Sequence, residues 1–192
     1  MTKQRRVPKS EPLRKTEEIN WVRHLMKTKT KEPLRNRLIF DIGINNGLRT
    51  IDILHLKTEE VLGKSQIRIK ETKTGKMRSV RFNKEIQAEI KEYVNQRGFN
   101  SEWLFPSYKD HRKPISTQAV YRMFRRISQG EPDLEGLTAH SMRRTFGYHF
   151  YKKTYDIATL MKIFNHSSQA ITLRYIGIEK EDIDDELADF KL

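Results

Sequence analysis

The chain contains no cysteine, which excludes disulfides, thiolate metal sites and cysteine nucleophiles together. It lacks any apolar run near the roughly 20 residues that a membrane-spanning helix needs. Its first residues, MTKQRRVPKSEPLRK, carry charge, but no apolar stretch follows them, so they do not read as a secretory signal. A cytoplasmic protein without a membrane partner is expected. There is no GxxxxGK[ST] phosphate loop and no pair of carboxylates at metal-ligand spacing. No cofactor and no metal are expected. Internal repeats and low-complexity tracts are also missing.

What the chain has in surplus is positive charge. Lys and Arg number 38 against 25 Asp and Glu, a formal net charge of +13. Such a surplus suits a polyanionic partner, because basic surfaces draw in phosphates and release counterions. Charge alone suits a merely basic, soluble protein equally well.

The apolar pattern divides the chain. Pro8 and Pro12 oppose a helix, and residues 1–15 read as a basic arm, either a disordered end or a strap along a polyanion. From Thr16 a helical period begins, with Ile19, Val22, Leu25 and Met26 on one face. A second helix is expected from Glu32 to about Ile44, stopped by Asn45, Asn46 and Gly47. A short third one runs from Thr50 to Leu56. The period then changes to two. Ile67 and Ile69 alternate with polar neighbours, Thr74 and Gly75 make a turn, and Met77, Val80 and Phe82 are the expected buried residues of a β-hairpin. Glu59 to Leu62 is a candidate third strand.

Helices then return. Asn83 caps one from Lys84 to about Gln96, and Ser116 opens another to about Ser128. GEPDLEG is a loop. Further helices cover Ala139 to Lys153 and Asp156 to Phe164, and Ser167 can cap one carrying Tyr175 or ending just before it. Residues 179–192 form an acidic tail with Ile183, Leu187 and Phe190 at helical spacing. The expected fold class is mainly α with a small antiparallel β-sheet (α+β).

A scattered set of polar residues ends in one tyrosine. Arg49 lies in INNGLRTIDIL and Lys73 in IKETKTGKMRSV. His140 and Arg143 lie in LTAHSMRRTF, and His166 and Tyr175 in FNHSSQAITLRYIG. Two arginines, a lysine and two histidines could surround one phosphate, and the tyrosine could attack it. A phosphodiester repels nucleophiles, so catalysis needs cations placed where charge grows in the transition state. The planar fork of arginine can hold two phosphate oxygens at once. His140 and Arg143 share a helical face. Arg144 points elsewhere on that helix and is not expected to be a ligand. Cations near Tyr175 would favour its phenolate.

The order and local contexts of these residues resemble the tyrosine recombinase (phage integrase) family over roughly residues 17 to 178. The resemblance implies a catalytic domain over 16–178, with Arg49, Lys73, His140, Arg143, His166 and Tyr175 as the catalytic set. Its KTG pattern selects Lys73 over Lys70 and Lys76 as the general acid. His166 would hydrogen-bond the phosphate, with Asn165 standing where the family usually has glycine. Tyr175 would be the nucleophile, forming a 3′-phosphotyrosine that needs neither ATP nor a metal. Double-stranded DNA is the implied partner, with self-association on it. In the family a segment beyond the tyrosine commonly packs on a neighbouring protomer. The acidic tail would either do so or fold back on its own domain. Complete members usually carry an additional N-terminal helical domain, so the chain reads as a minimal one-domain member or a fragment. Two other functions fit the same residues: a recombinase-fold DNA-binding regulator or accessory factor, and a relaxing enzyme like the type IB topoisomerases.

Overall fold

The computed structural model describes residues 10–178. Residues 1–9 of the arm and the acidic tail, 179–192, lie outside the described residues. Helix α1, Thr16–Lys29, has Glu17 and Glu18 in its first turn and Lys27 and Lys29 in its last, each charge complementing the helix dipole. It buries Val22, Leu25 and Met26. Helix α2, Pro33–Asn46, starts on a proline, whose missing N–H costs nothing at the first helical position. Nearly every side chain from Leu38 to Gly43 is buried, so α2 is the central helix, packed by α1 as well as by α5 and α7 further along the chain. Its buried Asp41 is neutralised by Arg23 at 2.8 Å and Arg37 at 3.2 Å. Asn45 and Asn46 remain helical. Gly47 alone makes the left-handed cap, with φ 58°.

Helix α3, Thr50–Leu54, follows at once, and then α4, Thr58–Val61. The candidate strand from Glu59 to Leu62 is thus a helical turn. Glu59 and Glu60 sit at its N-terminus, where the dipole favours them, and burial of Val61 alone shows no two-residue alternation. The sheet is a two-stranded antiparallel hairpin of β1, Gln66–Lys70, and β2, Met77–Arg81. Its register pairs Ile67 with Val80 and Lys70 with Met77. Met77 was expected inside and is 56% exposed. Alternation explains the correction: Val80 points inward, so Arg78 shares its face and Met77 takes the other.

The remaining helices are α5 (Lys84–Gln96), α6 (Thr117–Ser128), α7 (Ala139–Thr154), α8 (Ile157–Phe164) and α9 (Gln169–Ile176). Side chains of Asn83, Ser116, Thr138, Asp156 and Ser168 accept the N-cap hydrogen bonds. Ser168, not Ser167, caps α9. GEPDLEG holds one short 3-10 turn, Pro132–Leu134, which buries Leu134. Among the described residues no helix is long and apolar enough to cross a membrane.

Two apolar clusters result. The larger joins α1 to α6 and the hairpin and ends at Met142 of α7. The smaller, around Leu160, Phe164, Ile176 and Ile178, joins the second half of α7 to α8 and α9. Gly147 lets these helices approach closely: a Cβ there would lie 2.6 Å from Ile176 and 2.7 Å from Phe164. We expect Gly147→Ala to destabilise the chain by about 1–3 kcal/mol, the usual cost of overpacking. Thermal melting checks this, and an unchanged melting temperature would contradict the close packing. The end of the arm is held on α7, with Leu13 in the larger cluster. Leu13 is buried, its N–H donates to Thr145 Oγ1 at 2.9 Å, and His149 Nε2 meets its carbonyl at 2.9 Å. Residues 10–15 therefore lie along α7.

Candidate active site

The first cation is fixed by the stop of α2. Gly47 turns the chain and Arg49 becomes the N-cap of α3. A Cβ on Gly47 would collide with the Phe146 ring at 2.3 Å, so glycine is needed for both backbone and space. The Gly47 carbonyl accepts hydrogen bonds from Arg143 Nη1 and from Arg78 Nη1 at 3.3 Å. Arg78 Nη2 also donates to the Asn46 carbonyl. Two other arginines thereby hold the loop that carries Arg49.

Arg49 Nη1 lies 2.8 Å from Glu71 Oε2 and 4.0 Å from Asp52 Oδ2. Glu71 is buried and also accepts from the Thr74 hydroxyl at 2.8 Å. Burial alone would push its carboxyl up. The hydrogen bonds from Arg49 and Thr74, with the charges of Arg49 and Arg143, outweigh this and hold it below the ordinary value. Asp52 Oδ1 accepts from the Thr72 N–H at 2.8 Å, which ties the hairpin tip to α3.

Helix α7 supplies the next group. Arg143 is only 5% exposed. Its Nη2 donates to the Phe164 carbonyl at 3.2 Å, and its guanidinium lies 4.3 Å from the Phe164 ring centre. Burial, then repulsion from Arg49 and Arg78, lowers its pKa to about 10, so it stays a cation at neutral pH. His140, one turn earlier, keeps solvent access. Partial burial and the charges of Arg144, Arg143 and Lys73 push its ring below the ordinary histidine value. Arg144 does not point away, as its position on a helical wheel suggested. Its guanidinium lies 4.9 Å from the centre of the Tyr175 ring. The reason is α9, which packs back on α7 and brings the ring to the long arginine side chain.

His166 sits in the turn between α8 and α9, preceded by Asn165 in the left-handed region at φ 56°. Its Nδ1 lies 3.1 Å from Thr172 Oγ1, and that hydroxyl donates to the Ser168 carbonyl at 3.1 Å. The Thr172 oxygen is left to accept, so the neutral ring carries its proton on Nδ1 and keeps Nε2 for another partner. Burial, then Arg143 and Arg49, pushes this ring below the ordinary value. Tyr175, near the end of α9, stands edge-on to His166 at 5.2 Å and to Phe164 at 5.3 Å between ring centres. Burial raises its phenol above the ordinary value and outweighs the pull of Arg143, Arg144 and Arg49. The neighbouring cations therefore favour the phenolate without producing it in the DNA-free chain.

Arg49, His140, Arg143, His166 and Tyr175 are thus linked through shared neighbours. Lys73 is the outlying member: it is exposed on the hairpin turn, with no ion pair among the described residues, and its charge is felt by His140. Lys76 has a partner, donating to Asn165 Oδ1. Among the described residues no group of three or more His, Asp or Glu could hold a metal ion. Sequence reasoning missed Glu71, Arg78 and Arg144. For the first two a signal existed: Glu71 continues the inward parity of Ile67 and Ile69, and Arg78 that of Val80.

The phage integrase family model matches residues 15–182. The chain belongs to the phage integrase family. A probable integrase/recombinase, YoeC of Bacillus subtilis, is 41% identical over 171 residues, covering 89% of this chain and 91% of that protein. The tyrosine recombinase XerA of Pyrococcus furiosus is 27% identical, covering 90% of this chain but 60% of its own length. The chain thus spans nearly all of one phage integrase relative and under two thirds of another. Among solved structures, a XerA recombinase superposes with a TM-score of 0.75 at 21% identity, over 96% of this chain and 68% of that one. The catalytic domain of bacteriophage HP1 integrase gives 0.59 at 19% identity, over 94% and 95%. At such identities the likeness shows a shared fold.

Proposed function

We propose that this phage integrase family member cleaves and rejoins double-stranded DNA at a specific site through a 3′-phosphotyrosine intermediate. The observation that carries the reading is the placement of Tyr175: its ring abuts His166 and Arg144, and the charges of Arg143 and Arg49 reach it. The scissile phosphate would sit between Arg49 and Arg143. Of the five N–H donors of a guanidinium, Arg143 spends Nη1 and Nη2 bonds on carbonyls and keeps the others for phosphate oxygens. Tyr175 Oη attacks phosphorus and gives its proton to water. The P–Oη bond forms, the bond to the 5′ oxygen breaks, and Lys73 Nζ donates the proton that makes the 5′-hydroxyl. One ester replaces another, so a 5′-hydroxyl from either strand can reverse the step without ATP. His140 and His166 would hydrogen-bond the phosphate once protonated beside it. The protein would work in the cytoplasm, as protomers associated on DNA, with residues 16–178 as the catalytic domain.

The test is trapping: incubate the chain with nicked duplexes from candidate sites and look for a protein–DNA adduct in denaturing gels, mapped by mass spectrometry. An adduct on the Tyr175 peptide is expected. Its absence on every duplex that the chain binds would overturn the reading. Lys73→Ala should slow adduct formation by about 10²–10⁴-fold, the range of general-acid contributions. A 5′-thio leaving group, which departs without a proton, should restore it. Rescue of Lys76→Ala instead would move the acid to Lys76.

A further inference from the structure

We propose that Arg144 is a positioning residue for the nucleophile, holding the Tyr175 ring against its guanidinium and stabilising the phenolate as the proton leaves. This rests on the reading of Tyr175 as nucleophile. Three observations converge. The guanidinium carbon lies 4.9 Å from the ring centre, within the range of cation–π attraction. Its Nε and Nη1 are buried without a hydrogen-bond partner among the described residues. Among the described residues no carboxylate lies within ion-pair distance of it.

A guanidinium with two buried nitrogens ordinarily finds an acid or a row of carbonyls for them. The other cations near Tyr175 have done so. Arg49 is paired with Glu71, and Arg143 is spent partly on the Gly47 and Phe164 carbonyls. Among the described residues, Arg144 is thus the cation beside Tyr175 that has neither a carboxylate nor a carbonyl partner on its Nε and Nη1. A phenolate ring is richer in electrons than a phenol ring, so a cation stacked on it is held more strongly once the proton has gone. Among the described residues, the titratable and charged groups facing Tyr175 are Arg143 and Arg144 from α7, Arg49 from the α2–α3 link and His166 from the α8–α9 turn. His140 faces Arg144 from one turn earlier on α7 and, when neutral, leaves that charge intact.

The experiment has two readouts, one independent of DNA. In the DNA-free full chain labelled with 13C-tyrosine, Tyr175 is assigned by loss of its resonance in Tyr175→Phe and titrated in wild type, Arg144→Gln and Arg144→Lys. We expect the glutamine variant to titrate about one unit higher, equivalent to a tenfold loss of phenolate, and the lysine variant to recover most of that shift. In the trapping assay Arg144→Gln should lose about tenfold in rate at pH 7 and regain it at higher pH. Arg143→Ala should stay slow at every pH. Arg144→Met, which fills similar space without charge, serves if the glutamine variant does not fold, and the same shift is expected of it. An unshifted Tyr175 titration in the neutral variants overturns the proposal. A shifted titration with no adduct from the wild type would leave the Arg144–Tyr175 coupling standing and sink the recombinase reading instead.

Discussion

Replacing Tyr175 by phenylalanine is expected to abolish the covalent adduct while DNA affinity stays within about threefold, well under one good contact's worth of binding. The phenol is neutral in the DNA-free chain, because burial outweighs the attraction of three arginines, so the substitution changes no charge. It also keeps the ring, and with it the edge-on packing against Phe164 and His166. What is lost is the one oxygen that can attack phosphorus. Trapping assays, fluorescence anisotropy and a melting curve separate these effects. An adduct that persists would remove Tyr175 from the chemistry and direct attention to Tyr148 or Tyr151, whose rings also border the smaller cluster.

Arg143→Ala should have two effects at once. Cleavage should slow by at least about a hundredfold, the scale on which one preorganised transition-state contact is lost. The fold should also lose about 1–3 kcal/mol, because the substitution leaves buried carbonyls of Gly47 and Phe164 short of a donor. Gly47 would retain the Arg78 bond, so the Phe164 end should suffer more. Single-turnover cleavage with chemical denaturation checks both. A variant slowed but fully stable would mean that the two carbonyl bonds contribute little, and one destabilised but fast would take Arg143 out of phosphate binding.

Much of this was legible in the sequence, because caps and periods are local. Asn83 and Ser116 cap the helices expected of them, and Gly47 stops α2. Of the residues in the family motifs, Arg143, His166 and Tyr175 meet at Phe164, and Arg49 pairs with Glu71, whereas Lys73 lies apart on the hairpin turn. The failures are tertiary or parity errors. Met77 was placed inside although its neighbour in alternation, Arg78, is the one that turns inward. Glu59 to Leu62 reads as a candidate strand, although acidic residues at a helix start are stable there. Arg144 was assigned by its angle on one helix, which cannot register a second helix folding back over it. Nor can a sequence disclose that a glutamate among cations is buried rather than solvated, since this depends on the hairpin closing over the Arg49 loop.

The division of the apolar interior has a thermal corollary. Arg49 and its supports rest on the larger cluster, whereas His166 and Tyr175 ride on the smaller one, and α7 is the shared beam. The smaller cluster has few fully buried side chains and should be the first to loosen on warming. The chain should then pass through a temperature interval in which it still grips the duplex with its cationic loop but has lost register between attacker and target. Loss of cutting would precede loss of binding, and the gap between the two midpoints would measure how firmly α9 is held against α7.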